Sequence, residues 1–265
     1  MRKADDTPGA VSLPGQGPAI VMFHGFTGTP WDLEPIAQRL AQEGHAVHVP
    51  LLRGHGTHVG ELAHVRWSDW LTDALTTIDE ALVSHDHVIV LGFSLGSLLA
   101  LVAGQARQHQ GVLAVGLLAP ALQLVSLDGW VLRMAERCGR FLPDVRIPKW
   151  AGSDAHDPRF RWKNPAYRTQ PLRPAREILV GQRAAREAAV SLTLPTLIVH
   201  GRLDETTPVS AALELAQIAS RARVEMHLLS RSAHLIARDV ESESVSAIVS
   251  TFVERICSQN KILAT

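Results

Sequence analysis

Short apolar runs recur along the chain at Ala19–Phe23, Ala46–Leu51, His87–Leu91, Leu113–Leu118, Thr196–His200 and Val224–Leu229. Each is rich in Val, Ile and Leu and apolar on consecutive rather than alternate positions, which predicts strands buried on both faces. Between these runs the period changes. Leu33, Ile36, Ala37 and Leu40 fall at i, i+3, i+4 and i+7, behind Thr29-Pro30-Trp31-Asp32 and ahead of Gly44. A hydroxyl at the cap, Pro at the first helical position and an acid three residues after the cap predict a helix start there, and the glycine its stop. Leu71, Ala74, Leu75, Ile78 and Leu82 mark a second helical face, and Val245, Ile248, Val249, Phe252, Val253 and Ile256 a third. Thr207-Pro208 opens a further helix ending near Ala219. Strand and helix in alternation predict an α/β fold, with a mostly parallel central sheet flanked by helices.

One stretch leaves that rhythm. From Gln123 to Arg176 the chain is richer in Arg, Pro, Trp and Asp, and PDVRIPKWAGSDAHDPRFRWKNPAYR has no strand period. Its beginning, Val125 to Leu142, reads as a helix with Leu127, Val131, Met134 and Ala135 on one side. A structureless loop of this length is unusual in a compact domain, so an inserted subdomain is expected, lying over one edge of the sheet as a lid. The expected organisation is a polar lead at 1–18, a core at 19–122 and 177–258, an inserted lid or cap at 123–176 and a tail at 259–265.

Composition narrows the classes. The 265 residues hold 26 Lys and Arg against 26 Asp and Glu, a formal charge of zero. That removes the electrostatic reason to expect nucleic acid or an acidic membrane as a partner. The two cysteines, Cys138 and Cys257, cannot form a disulfide framework and read as free thiols of a reducing compartment. The lead from Met1 to Pro18 lacks the apolar stretch of a signal peptide, and no apolar run reaches the roughly 18 residues of a membrane span. A cytoplasmic protein without a membrane span is expected.

Candidate chemistry begins at HVIVLGFSLG, where an apolar strand runs straight into Gly92-Phe93-Ser94-Leu95-Gly96 and a helix follows at once. This is G-x-S-x-G in the strand–turn–helix setting that exposes a strained serine, with small residues two before and two after it. A serine hydroxyl needs a base, and the base an orienting acid. Two later strands each end in a loop that carries one. Asp204 follows Thr196–His200, with Glu205 as its neighbouring rival, and His234 follows Val224–Leu229. The chain has 13 histidines, but His200 and His227 lie within strands and only His234 sits in a loop after the last one. Donors for a developing oxyanion are expected from the backbone N–H of Leu95, at a helix start, and of Phe26, in the glycine-flanked loop HGFTG. His24 is expected to brace that loop. The pairs His45/His48 and His55/His58 lack a Cys, Asp or Glu at ligand spacing, so no metal is expected, and no nucleotide-binding glycine motif occurs.

These residues resemble the α/β-hydrolase family, and within it the bacterial carboxylesterases and monoacylglycerol lipases. The stretches that carry the resemblance are HGFTGTPWDLEPIAQRLAQEGHAVHVPLLRGHGTH, LGFSLGS, VHGRLDETTP and SAHLIARD, spread from Ile20 to Val253. The resemblance implies an α/β-hydrolase fold, a Ser94–Asp204–His234 triad, Phe26 and Leu95 as oxyanion donors, a small mobile lid and no cofactor. It also implies hydrolysis of a small-molecule carboxylic ester, of medium acyl length or a monoacylglycerol, by a monomer or homodimer. Thioesterase, C–C hydrolase or perhydrolase chemistry on the same triad is the alternative, with a non-catalytic small-molecule receptor behind it. Two positions depart from the family pattern: Ser97 stands where a second glycine is usual, and Ala233 where many members have glycine before the histidine. Alanine there is expected to alter the loop around the base slightly.

Overall fold

The computed structural model describes residues 9–125, 146–149 and 152–263. Its strands are β1 (Val11–Leu13), β2 (Gln16–Phe23), β3 (His45–Val49), β4 (Val88–Phe93), β5 (Val112–Leu118), β6 (Arg146–Pro148), β7 (Thr169–Pro171), β8 (Thr196–Gly201) and β9 (Val224–Leu229). Its helices are α1 (Glu34–Gln42), α2 (Val59–Leu62), α3 (Trp67–Ser84), α4 (Leu95–Ala106), α5 (Pro158–Lys163), α6 (Leu172–Ser191), α7 (Val209–Ile218) and α8 (Ser242–Leu263). The main sheet has the order β1-β3-β2-β4-β5-β8-β9. All six apolar runs are strands of this sheet, and every pairing among them is parallel.

The burial of consecutive strand residues has the expected cause. Along β2, Ala19, Val21 and Phe23 enter one apolar layer while Ile20 and Met22 enter the other. The first layer is completed by side chains of α3, α4, α6 and α7, the second by those of α1 and α8. At about 25 cal/mol per Å² of apolar surface, burial on two faces makes these strands the main stabilising element. No helix among the described residues is long and apolar enough to cross a membrane.

Several expected boundaries move. The polar lead contributes β1, which pairs antiparallel to β3 with Val11 opposite Val49 and Leu13 opposite Val47. The Thr29-Pro30 signal does start a helix, but as a single 3₁₀ turn over Pro30–Leu33 ahead of α1, and Thr29 makes no side-chain cap. Within 146–176 the chain is not strandless: β6 and β7 form an antiparallel pair, with α5 between them. Three-residue strands carry too few positions for a period to be read. Helix α6 spans the expected boundary at 177, and α8 runs past the expected 258. The helix expected over Val125–Leu142 lies almost entirely outside the described residues, as do Cys138 and Trp150. Cys257 is half-buried on α8.

The topology places the chemistry. Because β2, β4, β8 and β9 are parallel, the loops after them share one rim. After β2 the chain turns into α1 on one face; after β4 it turns into α4 on the other. The crevice opened by that reversal is where ligands bind in open α/β sheets.

Candidate active site

The turn from β4 into α4 holds Ser94 at φ +55°, in the left-handed region that L-residues seldom enter. The backbone there leaves no room beside it. A Cβ on Gly92 would sit 2.0 Å from the carbonyl oxygen of Gly96, and one on Gly96 would sit 1.9 Å from that of Phe23. The two glycines of the motif are therefore steric requirements of the turn. Ser97 lies behind them, its hydroxyl 2.7 Å from the Gly92 carbonyl and 2.9 Å from that of Leu118. A glycine at 97 could not tie β4 to β5 in this way.

The two later loops converge on the serine. His234 Nε2 is 2.9 Å from Ser94 Oγ, and its Nδ1 is 2.8 Å from Asp204 Oδ2. An ionised carboxylate only accepts, so Nδ1 carries the hydrogen and Nε2 presents its lone pair to the hydroxyl. Asp204 also accepts from the backbone N–H groups of Thr206 and Thr207, at 2.9 and 2.7 Å, and from the Thr207 hydroxyl at 2.8 Å. His200 Nε2, 3.2 Å from Asp204 Oδ2, is a further partner that strand patterning alone did not suggest. Glu205, the rival acid, has no part in the relay. The base loop sits close because Gly201 lacks a side chain; a Cβ there would be 2.4 Å from the Ala233 carbonyl. Ala233 itself is not among the residues with positive φ, so alanine fits there without backbone strain.

The electrostatics follow from the surroundings. Burial opposes charge on Asp204, but His234, His200 and their hydrogen bonds outweigh it and hold the carboxyl well below the ordinary range. Burial likewise disfavours a charged His234, yet Asp204, Asp154 and Asp32 raise its proton affinity above the ordinary imidazole value. Asp32, deeply buried near Lys149 and Arg238, is pushed up to about 7 by desolvation.

The loop after β2 has a different character. Its left-handed residue is Thr27, at φ +64°, rather than Gly25 or Gly28. The glycines serve close approach: a Cβ on Gly25 would be 3.4 Å from that of Ser94, and one on Gly28 would be 2.0 Å from Asp32 Oδ2. His24 braces the loop, its Nδ1 2.9 Å from the Gly25 carbonyl and its Nε2 accepting from the Leu52 N–H at 3.1 Å. His55 acts similarly through Nε2, which accepts the Thr27 N–H at 3.0 Å. Burial drives His24 well below its usual value and His55 to about 4, so both accept as neutral rings. Tyr167 stacks on His55 with centroids 6.5 Å apart, and its backbone N–H donates to the Thr27 carbonyl at 3.0 Å. This loop brings Phe26 to the cavity wall, while α4 starts at Leu95, whose N–H has no intrahelical acceptor.

A cavity of about 410 Å³ opens above Ser94 and His234. Phe26, Ala121, Leu124, Ile147, Pro148 and Ile178 give it apolar walls, and Asp32, Lys149 and Asn164 a polar end. The Leu95 side chain does not line it; it is buried in the core beneath the turn. Ile178, on α6, is a wall the linear pattern did not indicate. No group of three or more His, Cys, Asp or Glu among the described residues could hold a metal.

Comparison with known proteins identifies the family. The family model described as serine aminopeptidase, S33, matches residues 16–241. A thermostable monoacylglycerol lipase of Bacillus sp. (strain H-257) is 24% identical over 226 residues, 85% of this chain and 86% of that protein. A carboxylesterase of Bacillus subtilis (strain 168) is 25% identical over 255 residues, 94% of this chain and 98% of the relative. Among solved structures, a metagenome-derived lipolytic enzyme superposes with a TM-score of 0.84 at 23% identity, covering 94% of this chain and 98% of the other. The chain therefore belongs to the serine aminopeptidase, S33, family and is an α/β hydrolase, with lipases and esterases among its relatives.

Proposed function

We propose that the protein is a serine hydrolase that cleaves carboxylic esters through an acyl-enzyme, with medium-chain acyl esters or monoacylglycerols as substrates. The observation that carries this reading is the unbroken line of hydrogen bonds from Ser94 Oγ through His234 to Asp204. Ser94 Oγ attacks the ester carbonyl carbon while its proton passes to His234 Nε2. The carbonyl oxygen becomes negative and is met by the N–H groups of Phe26 and Leu95, each contributing roughly 3 kcal/mol as oxyanion donors do elsewhere. The C–O bond to the alcohol then breaks, and His234 returns the proton to the departing oxygen. Water, deprotonated by the same nitrogen, attacks the acyl-serine carbonyl and releases the acid and Ser94. Asp204 stays ionised throughout and stabilises the imidazolium between the two transfers.

The cavity supports the substrate class. Its volume lies within the range of small-molecule sites. An acyl chain suits the walls made by Phe26, Leu124, Ile147 and Ile178, and a small hydroxylated alcohol suits the end that holds Asp32 and Asn164. The monoacylglycerol lipase and carboxylesterase relatives point the same way. The described residues of the expected cap at 123–176 include Leu124, Ile147, Pro148 and Lys149 in the lining of this cavity, in keeping with a cap over the site.

The test compares Ser94→Ala with the parent on nitrophenyl esters of graded chain length. Turnover by the parent should peak at medium length, and the variant should lose at least about 10³-fold in kcat at every length. His234 must be neutral to act, and its proton affinity is raised, so the acid limb of kcat/KM should lie above about pH 6.5. A rate unchanged between pH 5 and 8, or a serine-free variant that still turns over, contradicts the reading.

A further inference from the structure

The cap does more than roof the cavity: at Asp154 it is bonded to both reacting loops. Its carboxylate Oδ2 accepts the backbone N–H of Glu205 and the hydroxyl of Thr206, both at 2.9 Å. Its backbone carbonyl accepts the N–H of Leu235 at 2.9 Å. Those three donors flank Asp204 on one side and His234 on the other. One residue of the cap is thus bonded at the same time to the loop that carries the acid and the loop that carries the base.

Asp239 secures the neighbouring cap residues. Its carboxylate accepts the Ala233 N–H at 2.7 Å, and the N–H groups of His156 and Asp157 at 3.0 and 2.7 Å. Ala155, between Asp154 and His156, is fully buried. The segment around Asp154 is therefore fixed to the sheet rim rather than resting on it, and a displacement there pulls on both loops.

From this arrangement we infer that Asp154 is a positioning residue for the Asp204–His234 pair, setting the separation of the two loops and adding negative charge beside the imidazole. The inference rests on the ester-hydrolase reading and deepens it. The charged groups that face His234 are Asp204 from the acid loop, Asp154 from the cap and Asp32 from the loop after β2, with Lys149 and Arg238 standing near Asp32. Of these three carboxylates, Asp154 is the one that lies outside both loops and is bonded to each of them. Misplacement of a reacting group by about 1 Å can cost two orders of magnitude, so the two side-chain hydrogen bonds that hold the acid loop to the cap leave room for a large effect.

The experiment measures kcat, KM and the pH dependence of kcat/KM for Asp154→Ala and Asp154→Asn beside the parent and Ser94→Ala. Alanine removes the acceptor and the charge; kcat should fall at least about tenfold, with KM changed less than about threefold. Asparagine keeps an oxygen for both donors and removes only the charge. It should recover most of the lost kcat and move the acid limb to lower pH, because one of the carboxylates that raise the imidazole is gone. Should Asp154→Ala not fold, as judged by thermal unfolding, the limb of Asp154→Asn decides alone. Equal losses in both variants with an unmoved limb, a loss confined to KM, or two variants that match the parent would overturn the inference. The two readings fail separately. An active Ser94→Ala removes the hydrolase assignment, whereas an inactive one beside unaltered Asp154 variants removes only the role of Asp154.

Discussion

The two sides of the site handle buried histidine in opposite ways. On the oxyanion side, His24 and His55 are surrounded by backbone and aromatic rings, and burial lowers both. On the acid–base side, His234 is buried too, yet its proton affinity rises because three carboxylates face it. Desolvation acts on all three rings, and neighbouring charge decides the sign of the result. A bracing ring must accept a hydrogen bond at all times, so it is held neutral. A ring that shuttles a proton must be able to hold charge, so it is given anions.

The largest expected effect comes from removing the anion that orients the base. Asp204→Asn keeps the shape but offers an N–H where His234 needs an acceptor, which favours the wrong tautomer; kcat should fall by roughly 10⁴. Steady-state kinetics on a nitrophenyl ester check this, and a loss below about tenfold would place the acid elsewhere.

Next in size is the brace. His55→Leu leaves the buried Thr27 N–H without its acceptor, a cost of about 1–3 kcal/mol, and loosens the loop that carries Phe26. The rate should drop about tenfold without any movement of the acid limb, since His55 carries no charge while the enzyme works. The same ring predicts a stability slope. Its folded value of about 4 lies below the unfolded 6.5, so the unfolded chain binds the extra proton between these values and stability falls as pH drops through that window. The full contribution is about 3 kcal/mol. Chemical unfolding from pH 7 to pH 4 should show a shallower decline in His55→Leu than in the parent.

Asp32 tilts stability the other way. Its folded value near 7 exceeds the unfolded 3.8, so the folded state holds the extra proton and stability falls as pH rises from about 4 to 7. Asp32→Asn should abolish that slope and be the more stable protein at pH 8, by up to about 4 kcal/mol. Paired unfolding curves at pH 4 and pH 8 test it; a variant less stable at pH 8 would mean that Lys149 and Arg238 outweigh burial. The smallest effect belongs to Ser97→Ala, which gives up one shared hydroxyl hydrogen bond across the turn. About 1 kcal/mol of stability should be lost, with kcat within about threefold of the parent.

What could be read in the sequence divides along similar lines. The strands at Ala19, Val88 and Thr196 were legible because each carries a run of consecutive apolar residues between two covering layers. Ser94 was legible because its turn imposes glycine at fixed offsets, and Asp204 and His234 because each follows a recognisable strand. By contrast β1, β6 and β7 have three residues each, too few to show a period. The work of His55, Tyr167 and Asp154 depends on contacts across long separations, such as the bond from Tyr167 to Thr27, which no local pattern carries. Histidine in a glycine-rich loop and a lone aspartate in an irregular segment look alike whether they brace a site or merely face water.

Covalent capture tests the central claim most directly. The protein mixed with excess nitrophenyl ester and quenched within the first turnover should gain one acyl group, carried on the peptide that holds Ser94 and absent from Ser94→Ala. An acyl group on any other residue, or one gained equally by Ser94→Ala, would contradict it.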